Sequence, residues 1–596
     1  MTQSREQLLH AHAALPEAYQ PAWGLSESQP QARRPCEDRF AVALAAIAAF
    51  PSDRPLRILD IGCAQGYFSL GLESELRQRG RAVQVVGVDS LAENVDFCTK
   101  LAAHHGLGAR FFHDRFDPGF FGRHALADFD IVLALNVLHH IRESEGADGA
   151  EAALETIRSH SSALLCELAQ ADEALDWVAD WHASDEALLH GYAFRRRLGT
   201  FATHLTQVRR PLYACSNRFA YLSARWFGFD RVLDRAHPGV PDHFSGQRRF
   251  FIGRDAIVKA FRGDGDFGTF NRAELLAEAE ALTGLCDEPE RYPQLLAQAD
   301  EGDTVWLARG LLRGKPVSEL IDEGVDFDRD ALLRALLGEL AHLQERGYHH
   351  GDLRAWNMLW HEGTLRLIDF GSMTRQASPL HRVALAAVLA EIARGELSHA
   401  QPWYTALHPM EAYPAAWHAL IRHLLGCEQR NFRYGEALAL LDRAGVVDGS
   451  VRRASGSNFS SEVLAAAVQA QIEGFQRLQE HSSEMERSFR RAHSHAADLE
   501  RDLHRVSAEA DAERAASSKV LSEASTYAAS LKVQLERQTA DATAERAAAQ
   551  AALADAARHA KSLEMDRTRL REKLERMRQR FHLLRPLWPR EDKDQS

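Results

Sequence analysis

The sequence predicts a multidomain chain: an α/β nucleotide-type domain, an α+β two-lobed domain, and a long C-terminal α-helical coiled coil. Three observations predict it. A β-branched run closing on a glycine turn lies in the first part, and a pair of loop motifs carrying carboxylates lies in the second. The stretch after Phe459 loses its aromatics and gains Ala, Glu, Arg and Gln. At 596 residues the chain exceeds what one hydrophobic core organises, so several domains also follow from length. The expected divisions are 1–235, 236–455, 460–584 and a basic, apolar tail at 585–596.

A net charge of -13 argues against general nucleic-acid binding, which needs a basic face to neutralise phosphates. The seven cysteines are scattered, with no C-x-x-C pair, and read as reduced thiols of a cytosolic protein. The N-terminus has no continuous apolar signal core, and no run of apolar residues is long enough to span a bilayer. The expectation is a protein neither secreted nor membrane-spanning.

In the first part, LRILDIGCAQGYFSL (residues 56–70) reads as strand, tight turn and helix, with Asp60 at the strand exit and Gly62 and Gly66 in the turn. VQVVGVD (83–89) is a second strand ending in Asp89, where an α/β nucleotide fold places its ribose acid. FDIVLALNVLHHI (129–141) is a third, with Asn136, His139 and His140 at its exit. This order resembles a Rossmann-like class I methyltransferase. The resemblance implies S-adenosylmethionine held by Asp60, Gly62, Gly66 and Asp89, with Asn136, Asp114 near adenine, and Tyr19 and Arg39 closing the site from the N-terminal arm. Ala64 replaces the middle glycine of the family's turn, and NAD is disfavoured because no G-x-G-x-x-G follows the strand. His139 and His140 are either general bases for a hydroxyl acceptor or parts of the pocket rim; an anionic acceptor needs no base.

In the second part, RRFFIGRDAIVKAF (248–261) reads as two strands with Lys259 in the second, and a lysine in an apolar strand demands an anionic partner. The helix that follows offers Glu278, with Glu274 one turn earlier as the alternative. YHHGDLRAWNMLW and LRLIDFGS then supply Asp352, Asn357 and Asp369. These motifs resemble the catalytic loop and D-F-G of a bilobal protein-kinase-like fold. The resemblance implies ATP, with Asp352 accepting the substrate proton, Lys259 and Glu278 completing the machinery, and Asn357 and Asp369 holding Mg2+. His350-Gly351-Asp352 replaces H-R-D and no A-P-E follows, which points to a small-molecule or glycan kinase. Gly246 is what remains of a phosphate loop, Arg248 or Arg249 compensates by charge, and backbone near Arg309 is expected to meet adenine. Trp356 either stacks a glycan acceptor or packs between the lobes.

From 460 to 585 the chain has no proline and one glycine, Gly474. Leu563, Leu570, Leu574, Met577, Phe581 and Leu584, and earlier Leu499, Leu503, Val506 and Ala510, follow heptad spacing. Such a helix is about 180 Å long at about 1.5 Å per residue. Its basic end, before Phe581, Leu584, Leu587 and Trp588, suits an anionic membrane surface or a partner protein.

Methyltransferase, atypical kinase and coiled coil in that order resemble the WbdD-type terminators of bacterial O-antigen polysaccharide. The resemblance implies a polymannose acceptor phosphorylated on its non-reducing terminal sugar and then methylated on that phosphate. It further implies a homo-oligomeric, trimeric rod that sets chain length, and a C-terminus recruiting the polymerising mannosyltransferase at the cytoplasmic face of the inner membrane. The alternatives are the same enzyme pair acting on another glycan, lipid or metabolite, and a coiled-coil scaffold with decayed catalytic domains.

Overall fold

The computed structural model describes residues 3–444 except 27–31, 172, 174–183, 205, 236–245, 266 and 398–407, together with 463, 465–469, 537 and 547. The chain divides into two compact units, residues 1–467 and 468–596. The expected coiled coil and basic tail therefore lie almost wholly outside the described residues. Among the described residues no helix is long and apolar enough to cross a membrane.

The first unit opens with α1 (Arg5–Ala13) and α2 (Glu37–Ala48). Then strands and helices alternate: β1 (Leu56–Ile61), α3 (Tyr67–Gln78), β2 (Val83–Asp89), α4 (Ala92–His105), β3 (Arg110–His113), α5 (Phe120–Arg123), β4 (Phe129–Leu135), α6 (Leu138–His160), β5 (Ser161–Glu167) and α7 (Asp185–Leu188). β6 (Phe194–Phe201) and β7 (Arg210–Ser216) complete one seven-stranded sheet in the order β3-β2-β1-β4-β5-β7-β6. β1 is parallel to β2 and β4, and only β7 runs antiparallel to its neighbours β5 and β6. Every residue of β4 is buried, as a central strand covered on both faces requires. This is a Rossmann-like α/β sheet, and Asp60, Asp89 and Asn136 all stand at the carboxyl ends of its strands, where such sheets bind ligands.

A hairpin of β8 (Phe219–Leu222) and β9 (Arg225–Gly228) leads into the second sheet: β10 (Arg231–Leu233), β11 (Arg248–Ile252), β12 (Ala256–Arg262), then α8 (Gly268–Gly284), β13 (Leu295–Asp300) and β14 (Thr304–Gly310). Its order is β10-β11-β12-β14-β13, antiparallel throughout. β10 precedes the division expected at 235/236, yet it is hydrogen-bonded into the second sheet. A helical lobe follows: β15 (Lys315–Pro316), α9 (Val317–Asp322), α10 (Arg329–Glu345), β16 (His349–His350), β17 (Met358–His361), β18 (Thr364–Leu367), β19 (Met373–Thr374), α11 (Pro379–Arg394), α12 (His418–Gly426) and α13 (Tyr434–Ala444). This is the bilobal kinase-like fold, with α8 as the helix packed on the small lobe's sheet.

The two domains share a core. Phe194, Tyr221 and Trp226 of the first are buried in one cluster with Phe251, Val258, Trp306 and Ala308 of the second. Phe194 packs edge-on against Phe251 at 5.6 Å and Trp306 at 5.5 Å between ring centroids. Arg196 pairs with Glu301 at 2.7 Å, and Glu301 also accepts the Trp306 indole N–H. The small lobe is thus joined to the methyltransferase-like sheet by a shared apolar core and an ion pair.

Candidate active sites

The turn after β1 runs through three left-handed residues, Gly62, Ala64 and Gly66. Gly66 is required twice over: its φ is +73°, and a Cβ there would lie 2.8 Å from Cys98 Sγ. Ala64 takes the strained φ of +48° and gains from it, because its N–H donates to Asp89 Oδ2 at 2.8 Å. Asp89 Oδ1 accepts from Leu91 N and from Asn94 Nδ2. The two strand-end carboxylates therefore differ. Asp89 is held among fixed N–H donors beside the turn. Asp60 is 3% exposed, accepts the Ser69 hydroxyl at 2.6 Å, and is pushed up to about 7 by burial and by the neighbouring Asp89 charge. Asp60 thus ties the end of β1 to the first turn of α3.

Across the sheet, Glu167 at the end of β5 is completely buried and binds Arg34 at 2.5 Å, Arg39 at 2.8 Å and the Asn136 amide. Asn136, at φ +60°, accepts from Arg210, whose other nitrogens clasp Glu173. Arg34 reaches the Tyr19 hydroxyl at 3.2 Å, and Tyr19 packs edge-on against His204. The structure thus joins Tyr19, Arg39 and Asn136, three residues expected around the methyl donor, into one buried ionic network with three guanidinium and two carboxylate groups. In it Arg39 serves Glu167. Asp114 is apart from it: its carboxylate is bound by Arg123 and His124, and its backbone N–H donates to the Asp89 carbonyl at 3.1 Å. His139 is 3% exposed, and burial, His140, Arg210 and Arg34 push it well below the usual imidazole range. It is a neutral, weak base. His140 is exposed.

In the second domain Lys259 Nζ lies 2.6 Å from both Glu278 Oε2 and Asp369 Oδ1. Of the two glutamates the sequence offered, Glu278 meets the lysine, and Glu274 instead binds Arg248 at 2.7 Å. Burial would raise Asp369, yet the Lys259 ammonium outweighs it and brings the carboxyl down to about 2. Arg309 was expected to act through its backbone. That backbone is paired on both sides, with Ile257 and Leu295, and the buried side chain places Nε 3.2 Å from Glu278 Oε1. Arg248 was expected to face phosphate, but its guanidinium lies over the Phe261 ring and binds Asn271 and Glu274, so its charge anchors α8. Gly246 stands at φ +73° in open space just before β11.

The catalytic loop is built from below. His350 is buried, donates from Nε2 to the Ile368 carbonyl and accepts the Asp352 N–H on Nδ1, which fixes a neutral ring. Asn357 Nδ2 donates to both Asp352 O and Oδ2 at 3.0 Å, so its Oδ1 is the atom left to a cation. Gly351 stands where kinases carry arginine because a Cβ there would come within 2.4 Å of the Ser372 carbonyl. Arg354, missed in the sequence, pairs with Asp352 at 2.5 Å and lies 5.3 Å over the half-buried Trp356 ring. Its position two residues after Asp352 was the available signal.

A methyltransferase domain model matches residues 31–198, and a phosphotransferase enzyme family model matches 269–409. The Escherichia coli O-antigen chain terminator bifunctional methyltransferase/kinase WbdD is 32% identical over 372 residues, 60% of this chain and 51% of the relative. A solved structure of the bifunctional kinase-methyltransferase WbdD superposes with a TM-score of 0.62 at 26% identity, covering 79% of this chain and all of that one. The chain is thus similar to WbdD across both domains. It spans about half the length of the curated relatives it matches. A second WbdD structure, in which a C-terminal bundle is ordered, matches at a TM-score of 0.63 and 26% identity over 83% of this chain and 99% of its own.

Sequence reasoning missed Arg34, Glu167, Glu173 and Arg210. No motif surrounds any of them in the sequence. Gln65, by contrast, was in plain view inside the glycine turn.

Proposed function

We propose that the chain phosphorylates the terminal sugar of a polymannose-like O-antigen and then methylates the new phosphate, which ends elongation. The observation that carries this reading is that one compact unit sets Lys259 2.6 Å from both Glu278 and Asp369 and, in a separate Rossmann-like sheet, sets Asp89 against a glycine turn. Asp352 orients the acceptor hydroxyl and takes its proton as the oxygen–phosphorus bond forms and the β–γ bridge of ATP breaks. Lys259, held by Glu278, steadies the phosphates, and Asn357 and Asp369 hold Mg2+. Two oxygen ligands suit magnesium, which completes its shell from water and phosphate. Among the described residues no group of three His, Cys, Asp or Glu forms a self-sufficient metal site.

S-adenosylmethionine, when bound, supplies an electrophilic methyl group. Gly62, Gly66 and Asp89 cradle it, and a phosphate oxygen needs no deprotonation to attack. A base as weak as His139 then suffices as pocket wall, and the excess guanidinium charge of Arg34, Arg39 and Arg210 favours an anionic acceptor. The coiled coil of residues 460–584 acts as a length-setting oligomeric spacer. The tail recruits the polymerase at the cytoplasmic face of the inner membrane. Incubation with magnesium ATP, methyl-labelled S-adenosylmethionine and mannose oligomers should give ATP-dependent methyl incorporation. Incorporation without ATP would contradict the order of the steps.

A further inference from the structure

Under the glycine turn of the first domain lies a chain of buried amides whose direction is fixed. Gln65 is 1% exposed. Its Oε1 accepts the Gln20 backbone N–H at 2.7 Å, and its Nε2 donates to the Glu17 carbonyl at 3.0 Å and to Asn94 Oδ1 at 2.8 Å. A backbone N–H can only donate and a carbonyl can only accept, so the Gln65 amide has one allowed orientation. Asn94 must then turn its own nitrogen outward, and Asn94 Nδ2 donates to Asp89 Oδ1 at 3.1 Å. Gln20 closes the circuit: its Oε1 accepts from Tyr67 N, the first residue of α3, whose glycine N-cap offers no side chain. His12 Nε2 holds the Gln20 carbonyl from α1 at 2.8 Å. Trp23, Phe40 and Tyr67 pack together at 5.1–5.6 Å beside it.

The N-terminal arm at residues 17–20 is therefore connected, through Gln65 and Asn94, to the carboxylate at the end of β2. We propose that Gln65 is a positioning residue that couples closure of this arm to the orientation of Asp89, making arm ordering and donor-nucleoside binding one event. The inference rests on reading the first domain as the S-adenosylmethionine site. Gln65 orients the group that binds and touches no reacting atom.

Gln65→Leu keeps much of the bulk but removes donor and acceptor alike, so the Gln20, Glu17 and Asn94 bonds are all lost. Asn94→Leu cuts the relay only on the Asp89 side. In the full-length chain, S-adenosylhomocysteine affinity by calorimetry should fall about tenfold or more in both variants, as expected for losing buried hydrogen bonds around a ligand-binding carboxylate. Amide exchange in the ligand-free protein separates them. The Gln20 N–H should lose protection in Gln65→Leu and keep it in Asn94→Leu. Phosphoryl transfer should be unchanged in both, which reports an intact fold.

Affinity equal to wild type in Asn94→Leu, or an unchanged Gln20 exchange rate in Gln65→Leu, would overturn the coupling. A wild-type chain that fails to bind S-adenosylhomocysteine at all would overturn the site reading instead, while the exchange comparison still decides whether Gln65 holds the arm.

Discussion

The two sites secure their key carboxylates by opposite chemistry. Asp89 is surrounded by neutral donors: two backbone N–H groups and an amide that belongs to a relay. Asp369 and Glu278 are secured by charge, with Lys259 between them and Arg309 behind. Net neutral hydrogen bonds contribute about 1 kcal/mol each, so an amide relay weakens gradually as members are removed. Truncating one partner of a buried ion pair leaves an uncompensated charge and costs about 3–5 kcal/mol, so the kinase site fails abruptly. The difference suits their proposed tasks, since phosphoryl transfer must stabilise developing charge and a methyl-donor pocket must place a nucleoside.

The largest break is Asp352→Ala, which should abolish phosphorylation and, with it, methylation of a fresh acceptor. Mass spectrometry of the glycan end reads both. Lys259→Met should lower kcat for phosphoryl transfer by at least about a hundredfold, the order expected for losing a preorganised electrostatic group. Thermal denaturation should show a destabilised fold as well, because Glu278 and Asp369 are left facing each other.

Asp89→Ala should give the reverse pattern, a phosphorylated and unmethylated product, with S-adenosylhomocysteine affinity reduced and ATP turnover intact. Asp60→Ala should give the same product by distorting the turn.

Trp306→Ala, at the shared core, should cost about 3–5 kcal/mol and lower stability of the sheet junction without a direct effect on either chemistry. Calorimetry should show the methyltransferase-like sheet and the small lobe shifting together.

The smallest effect is in pH. Asp60 keeps its proton in the folded chain up to about 7, against 3.8 for an ordinary carboxyl. The folded state therefore binds more protons than the unfolded one between about pH 4 and 7, and stability declines across that window. Asp60→Asn should flatten the decline, as read by melting temperature at pH 5 and pH 7.5.

Much of this was legible in the sequence because the relevant signals are local. A glycine turn, a strand-end acid and a catalytic loop each fit within a dozen residues, and the fold brought Asp60, Asp89 and Asn136 to one sheet edge as their spacing implied. The choice of Glu278 over Glu274 came from geometry, since both lie on one face of α8 and only the sheet decides which meets Lys259. Arg39 and Arg248 were expected at ligands because of their charge and Arg309 because of its backbone, and the sequence carried no sign that the three guanidinium groups pair with Glu167, Glu274 and Glu278. Glu167 and Arg34, 133 residues apart, carry no periodic or motif signature. The shared core was also invisible, because the apolar residues of β6, β8 and β9 look like the core of one domain until their partners on β11 and β14 are known.

The central claim is that the second domain makes the substrate of the first. The direct test compares wild type with Asp352→Ala on two acceptors, a plain mannose oligomer and the same oligomer carrying a terminal phosphate, with labelled S-adenosylmethionine. The account predicts that the variant methylates only the phosphorylated acceptor, at the wild-type rate. Methylation of the plain oligomer by the variant, or none of the phosphorylated one, would contradict it.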